Sequence, residues 1–292
     1  EFFGLIGLLI AVSAPSVLGY IIDSSDVYLW YAILLTLLMT FAVIGYSNLP
    51  QTVNTQIQQR SSPLLGLRVL AKETKYFLII YGFSMLASSI PAVLVIFFVR
   101  DLLGAEYLTG LFLLLYFLSG AAGMPLWKAI SNWLGKYKAW ALSHILAVSA
   151  FIGAFFLSNG DVTSYALVCV LSGISLGADL TLPPSILADH VHKHKNTAYS
   201  GIHYAFLAFI GKASLAVASA IVFPVLDTVG FKPQSINTED ALFVLSASYA
   251  LIPCFIKILS AISLSYLFIR SQSGGHHDTL QNNSNYRNSH HA

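Results

Sequence analysis

Charge is what this sequence lacks. Of 292 residues only 10% are Asp, Glu, Lys or Arg, while 56% are hydrophobic. Soluble domains carry about 25% charged residues, so a solvated globule is excluded as a class. The net charge of +2 is small and forms no basic stripe, which removes nucleic acid as a partner. Cysteine is equally scarce. Cys169 and Cys254 both lie in apolar runs and read as buried free thiols, with no disulfide framework and no redox role. Recognisable catalytic patterns are missing too: no pair of carboxylates shares a helix, no H-E-x-x-H occurs, and no nucleophile turn of the G-x-S-x-G kind is read.

What is present is apolar length. A helix crosses the hydrocarbon layer with about 20 apolar residues. Eight runs qualify: Phe2–Ile22, Val27–Leu49, Tyr76–Val99, Tyr107–Trp127, Ala139–Leu157, Val162–Leu187, Tyr199–Leu226 and Ala241–Ile269, the first five without a single charged residue. One such run could be a buried core helix. Eight in series predict an all-α, polytopic membrane protein with about eight transmembrane helices.

Basic residues set the orientation. Arg60, Arg68, Lys72, Lys75, Lys128, Lys136, Lys138, Lys193, Lys195, Arg270 and Arg287 fall on one side, and only Arg100 and Lys232 on the other. Asp23, Asp26, Asp101, Glu106, Asp161, Asp227, Glu239 and Asp240 gather with those two. The asymmetry predicts cytoplasmic termini in a cell (inner or plasma) membrane. The first run is too long and wrongly flanked for a signal peptide. The opening "EFFGLIGLLI" has no Met and no polar lead-in, which is expected of a sequence that begins inside a longer one.

Between the second and third runs, residues 50–75 predict a cytoplasmic linker with a short amphipathic helix around Leu64–Leu70. It divides two helices (1–49) from six (76–270). The tail 271–292, polar and poor in apolar residues, is expected to be disordered. Its histidines invite only adventitious metal, so no metal site or other cofactor is expected.

Three charged groups sit inside the spans: Asp179, Lys212 and Lys257. Each costs about 2.5–3.5 kcal/mol at mid-bilayer on insertion scales, which makes function the default reading. Asp179 precedes Asp189 by ten residues, about 15 Å of helix, and Lys212 follows Ala198 by fourteen, about 21 Å. Antiparallel neighbours would then bring Asp179 and Lys212 to similar depth, as an ion pair lining a cavity or as a purely structural pair. Lys257 either shares such a role or snorkels toward the end near Arg270. In "GADLTLPPSILADH", Gly177–His190, the adjacent Pro183 and Pro184 remove two backbone donors and predict a kinked or unwound helix beside the charge.

These residues carry a resemblance. "GADLTLPPSILADHVHKHKNTAYSG" followed by "FIGKASLAVASAIVFPVLDTVGF" resembles helices ten and eleven of the glycoside–pentoside–hexuronide:cation symporters, the melibiose-permease-like branch of the major facilitator superfamily. "GMPLWKAISNWLGKYKAW", Gly123–Trp140, resembles the family's cytoplasmic loop between helices eight and nine. The resemblance covers nearly the whole chain outside the tail. It implies that the eight runs are helices five to twelve of a major facilitator-type bundle, with helices one to four of the same protein as missing partners.

It also implies roles. Lys212 stands at the family's helix-eleven lysine, close to the sugar and cation pocket. Asp179, Pro183 and Pro184 match the motif whose cavity face borders substrate. Asp189 closes that motif and, with Gly135 and Lys136 of the cytoplasmic loop, points to gating. The family's cation-binding acids lie mainly on helices two and four, so none can be assigned here. Two departures stand out. "HVHKHK" replaces acidic residues after Asp189, leaving His190 and His194 as a metal pair, a pH-responsive gate or a solvated basic loop. Trp133 replaces an Arg, which puts the loop's usual salt bridge in doubt.

Tyr116, Trp127 and His203 are candidates for sugar stacking or hydrogen bonding, with an aromatic-belt role equally open to Trp127. Tyr81, Ser84, Ser88, Ser89, Ser119, His144 and Tyr204 read mainly as helix-packing groups. The expected activity is cation-coupled (Na⁺ or H⁺) symport of a small sugar or glycoside across the lipid bilayer by alternating access, with no enzymatic step. A non-transporting sensor or assembly subunit derived from the same fold, and a carrier of a lipid-like substrate, are the alternatives.

Overall fold

The computed structural model describes residue 7 and residues 26–47, 70–194 and 199–289, with side chains through 267. The chain forms two compact units, Glu1–Leu65 and Gly66–Ala292. Every regular element among the described residues is helical.

In the first unit, α1 (Val27–Ser47) holds an apolar stretch, Leu29–Gly45, free of charge. Its hydroxyls bond back into the helix: Thr36 Oγ1 donates to Ala32 O at 2.8 Å and Thr40 Oγ1 to Thr36 O at 2.7 Å. Polar atoms in an apolar helix are thereby satisfied without a partner. The first expected run, Phe2–Ile22, and the amphipathic linker helix lie outside the described residues.

The second unit contains six helices long and apolar enough to cross a membrane. They are α2 (Lys72–Phe97, continued by a π turn, Phe98–Leu102), α3 (Thr109–Leu134), α4 (Lys136–Phe155), α5 (Val162–Lys193), α6 (Ser200–Thr228) and α7 (Glu239–Ser289). All six coincide with expected runs. Two differences are instructive. The 128–138 segment, expected as a loop, is a single residue: α3 ends at Leu134, α4 begins at Lys136, and Gly135 turns between them at φ 85° and ψ 151°. Only glycine occupies that region without strain. The tail, expected to be disordered, continues α7 as helix through Ser289, because an anchored helix extends without a new nucleus and no proline follows Pro253.

Pro183 and Pro184 do not unwind α5, which runs unbroken from Val162 to Lys193. Side chains donate to carbonyls around the break: Thr181 Oγ1 to Gly177 O at 2.8 Å, Lys136 Nζ to Ser185 O at 3.2 Å, and Tyr204 to Pro184 O at 3.4 Å. Neighbouring groups thus take over what the prolines cannot supply.

Small residues set the helix spacing. Gly120 and Gly123 of α3 face Gly173 and Gly177 of α5, and a Cβ on Gly177 would meet Gly120 O at 2.6 Å. The letters G-x-S-x-G do occur here, as Gly173–Gly177, but in mid-helix at this contact rather than on a strand-to-helix turn. Close backbone approach through glycine is the packing device of membrane helices. Elsewhere α4 packs along α7, α7 along α2, and α6 chiefly along α2.

Two apolar clusters fill the unit. One gathers Leu94, Phe98, Phe112, Phe151, Tyr165 and Tyr249; the other gathers Phe77, Tyr81, Trp140, Leu182, Ile186 and Leu264. Buried polar groups from four helices lie outside both: Ser84, Ser143, His144, Ser175, Asp179 and Lys257.

Candidate functional site: a buried ion pair on a cavity wall

Asp179 lies near the middle of α5 and Lys257 near the middle of the apolar stretch of α7, Glu239–Leu267. Their side chains are 4% and 3% exposed, and Lys257 Nζ stands 2.6 Å from Asp179 Oδ2. Isolated charges could not remain ionised at this depth; paired and hydrogen-bonded ones can. The carboxylate is fully engaged. Oδ2 also accepts from Ser88 Oγ at 3.0 Å, while Oδ1 accepts from Trp140 Nε1 at 2.8 Å and from Ser84 Oγ at 3.5 Å. Lys257 donates a second bond to Ser84 Oγ at 3.0 Å. Four helices thus converge on one carboxylate: α2 through its i, i+4 serines, α4 through Trp140, α7 through Lys257, and α5 through Asp179 itself.

The pair borders a cavity of about 130 Å³ inside the six-helix unit. Its polar wall is Ser88, Asp179 and Lys257, and its aromatic wall is Phe112, Tyr116, Phe117, Phe151, Tyr165 and Tyr249. Tyr165 and Tyr249 share a hydroxyl hydrogen bond of 2.8 Å, and Phe98 stacks on Tyr249 at 4.1 Å between centroids. Those contacts fix the aromatic end of the cavity.

The expected partner of Asp179 is corrected. Lys212 is exposed on α6, and among the described residues no acidic group pairs with it. The reason is topological: α6 follows α5 in sequence but lies chiefly against α2, where Gly82 nears Ile210 and Gly211 nears the Tyr81 hydroxyl. The snorkelling alternative for Lys257 fails for the converse reason, since its ammonium is held at depth by Asp179 and Ser84. Of the three sugar-contact candidates only Tyr116 lines the cavity. Trp127 is buried and donates its indole N–H to Ile174 O at 2.8 Å, clamping α3 to α5. His203 is buried on α6 and takes no part in the cavity.

At the end of the unit where α4 begins, Lys136 Nζ meets Asp189 Oδ2 at 2.6 Å. The salt bridge doubted because of Trp133 therefore forms, with Lys136 supplying the cation while Trp133 stays 84% exposed. His190 and His194 do not form a metal pair with a third ligand, and no cluster of three metal-binding side chains occurs among the described residues. His190 Nε2 is 2.6 Å from the Tyr137 hydroxyl, and His194 is 3.7 Å from Glu73, which also bonds Lys193 at 3.0 Å.

Ser84, Ser88, Trp140 and His144 were passed over as packing groups or not singled out. Two signals could have found the first three: serines four apart on one helix face, and an indole N–H in an apolar span that needs an acceptor.

A bundle of apolar helices built around a mid-depth ion pair and an enclosed cavity defines a multi-pass membrane transporter, with no enzymatic constellation in it. The chain belongs to the MFS/sugar transport protein family, which it matches over residues 1–270, in a branch like the glycoside–pentoside–hexuronide symporters. Among curated relatives it is 23% identical over 217 residues to the glucuronide carrier protein homolog of Escherichia coli (strain K12), a stretch covering 72% of this chain and 45% of that protein. It is 24% identical over 199 residues to the uncharacterized symporter YnaJ of Bacillus subtilis (strain 168), covering 65% and 41% respectively. The chain thus spans less than half the length of the curated relatives it matches.

Proposed function

We propose that this chain is part of a secondary active transporter that carries a sugar or glycoside together with a cation, Na⁺ or H⁺, by alternating access. The observation that carries the reading is the Asp179–Lys257 pair on the wall of the aromatic-lined cavity. A cavity of about 150 Å³ admits a benzene-sized ring, so the space of about 130 Å³ suits one pyranose ring. Aromatic faces stack on sugar C–H surfaces, and a fixed pair of opposite charges offers both donor and acceptor to hydroxyls. The relatives named as a glucuronide carrier homolog and a symporter support the same class. In this reading the protein sits in the cell membrane with cytoplasmic termini, and the N-terminal helices of the same protein complete the path. The two bundles rock around the mid-membrane site, and the Lys136–Asp189 bridge belongs to the gate.

The test is uptake of a radiolabelled methyl glucuronide by proteoliposomes under an imposed Na⁺ or pH gradient, with galactoside and xyloside as comparison probes. Accumulation above the external concentration by wild type, and its loss in Lys257→Met, is expected. Entry no faster than into protein-free vesicles for all three probes would sink the reading.

A further inference from the structure

We propose that the coupling ion is a proton and that His144 is the group that binds it, an inference that rests on the transport reading above. Asp179 is poorly placed to take a bare cation. Both its oxygens already accept donors, and a tethered ammonium holds Oδ2 at 2.6 Å, so a metal cation there would have to expel Lys257. His144 differs. It is wholly buried, and its Nδ1 lies 2.7 Å from the Trp140 carbonyl. A carbonyl only accepts, so Nδ1 carries the hydrogen and Nε2 presents a lone pair. That Nε2 is buried without a hydrogen-bond partner among the described residues.

Its surroundings couple this atom to the cavity. Trp140 joins the two groups, accepting from His144 through its carbonyl and donating to Asp179 through its indole. The helices packed on α4 are α3, α5 and α7. From them the charged or titratable neighbours are Asp179 on α5, Lys257 on α7, and Tyr116 on α3 across the cavity; α2 adds the neutral Ser84 beside the pair. On the other side, His144 and Lys257 line an outer groove between α4 and α7 walled by Ala141, Ile145, Val148 and Ile258, an apolar surface suited to lipid tails. Lys257 therefore stands between groove and cavity, and a proton reaches His144 only from the cavity side. A site with one entrance stores a proton without leaking it.

The step is a simple association. A proton from water adds to the Nε2 lone pair, nothing else is transferred, and the same proton leaves on return. While bound, it places a second cation beside Lys257, so two positive groups share the single negative charge of Asp179. The Lys257–Asp179 bond weakens, and its groups become available to the cavity.

Two measurements test this on the intact protein. In nanodiscs, ¹⁵N-histidine NMR follows the His144 signal, assigned by its loss in His144→Gln, from about pH 5 to about pH 9. The signal should titrate, with its midpoint rising in Lys257→Met and falling in Asp179→Asn by about one unit each. A signal that does not move with pH, or a midpoint indifferent to both substitutions, overturns the proposal. In proteoliposomes, wild-type uptake of methyl glucuronide should rise about tenfold with an inside-alkaline gradient, and the ratio should fall to about one in His144→Gln. A wild-type ratio in that variant, or wild-type accumulation driven by Na⁺ alone, also overturns it. If wild type carries no probe, the sugar reading fails, and the imidazole titration decides this one by itself.

Discussion

At the residue scale, the ion pair is held by compensation rather than by surplus. Two ions removed from water must recover their hydration from each other and from Ser84, Ser88 and Trp140. Removing one partner strands the other, at a cost of about 3–5 kcal/mol, whereas replacing both by apolar groups is often neutral. Lys257→Met should therefore lower the thermal midpoint of the detergent-solubilised protein sharply, and Asp179→Leu with Lys257→Met should recover most of the loss. Equal midpoints for the single and double variants would show that the charges do not compensate each other. Lys212, by contrast, should tolerate Met with little change in stability, since it is exposed and no acidic group pairs with it.

At the element scale, the α3–α5 contact depends on the absence of side chains. Gly177 leaves no room for a Cβ against Gly120 O and Gly123. Gly177→Ala should force the helices apart and carry Ile174 O away from the Trp127 indole; overpacking of this kind costs about 1–3 kcal/mol. Thermal unfolding together with the Trp127 emission maximum reads both effects, and an unchanged midpoint with unchanged emission would count against the close approach. Gly135 is the second sensitive glycine. Alanine there meets the strain of φ 85°, worth about 1–3 kcal/mol, at the one residue joining α3 to α4.

At the scale of the whole molecule, orientation is the open prediction. Trp133 and Ile236 are both highly exposed and lie at opposite ends of the helices of the second unit. Cys169 and Cys254 are buried, so neither gives a background with a membrane-impermeant maleimide. In intact cells Ile236→Cys should label from outside, and Trp133→Cys only after permeabilisation. The reverse pattern would invert the assignment of the basic loops.

The sequence by itself determined where the helices cross. Partition of a segment into hydrocarbon is a sum over its own residues, so a run such as Tyr199–Leu226 declares itself without knowledge of any neighbour, and α6 spans Ser200–Thr228. It also marked Asp179 and Lys257 as groups out of place in a span. Which lysine meets Asp179 was decided only by the tertiary structure. Partner choice depends on how each helix is rotated and on which helices touch, and α5 is approached by α7, distant in sequence, while α6 turns to α2. The same holds for Trp140, His144 and the serines of α2: alone each is a tolerable polar atom in an apolar helix, and only when four helices close on one carboxylate do they become a site. That is a property of packing, and no single segment's transfer energy contains it.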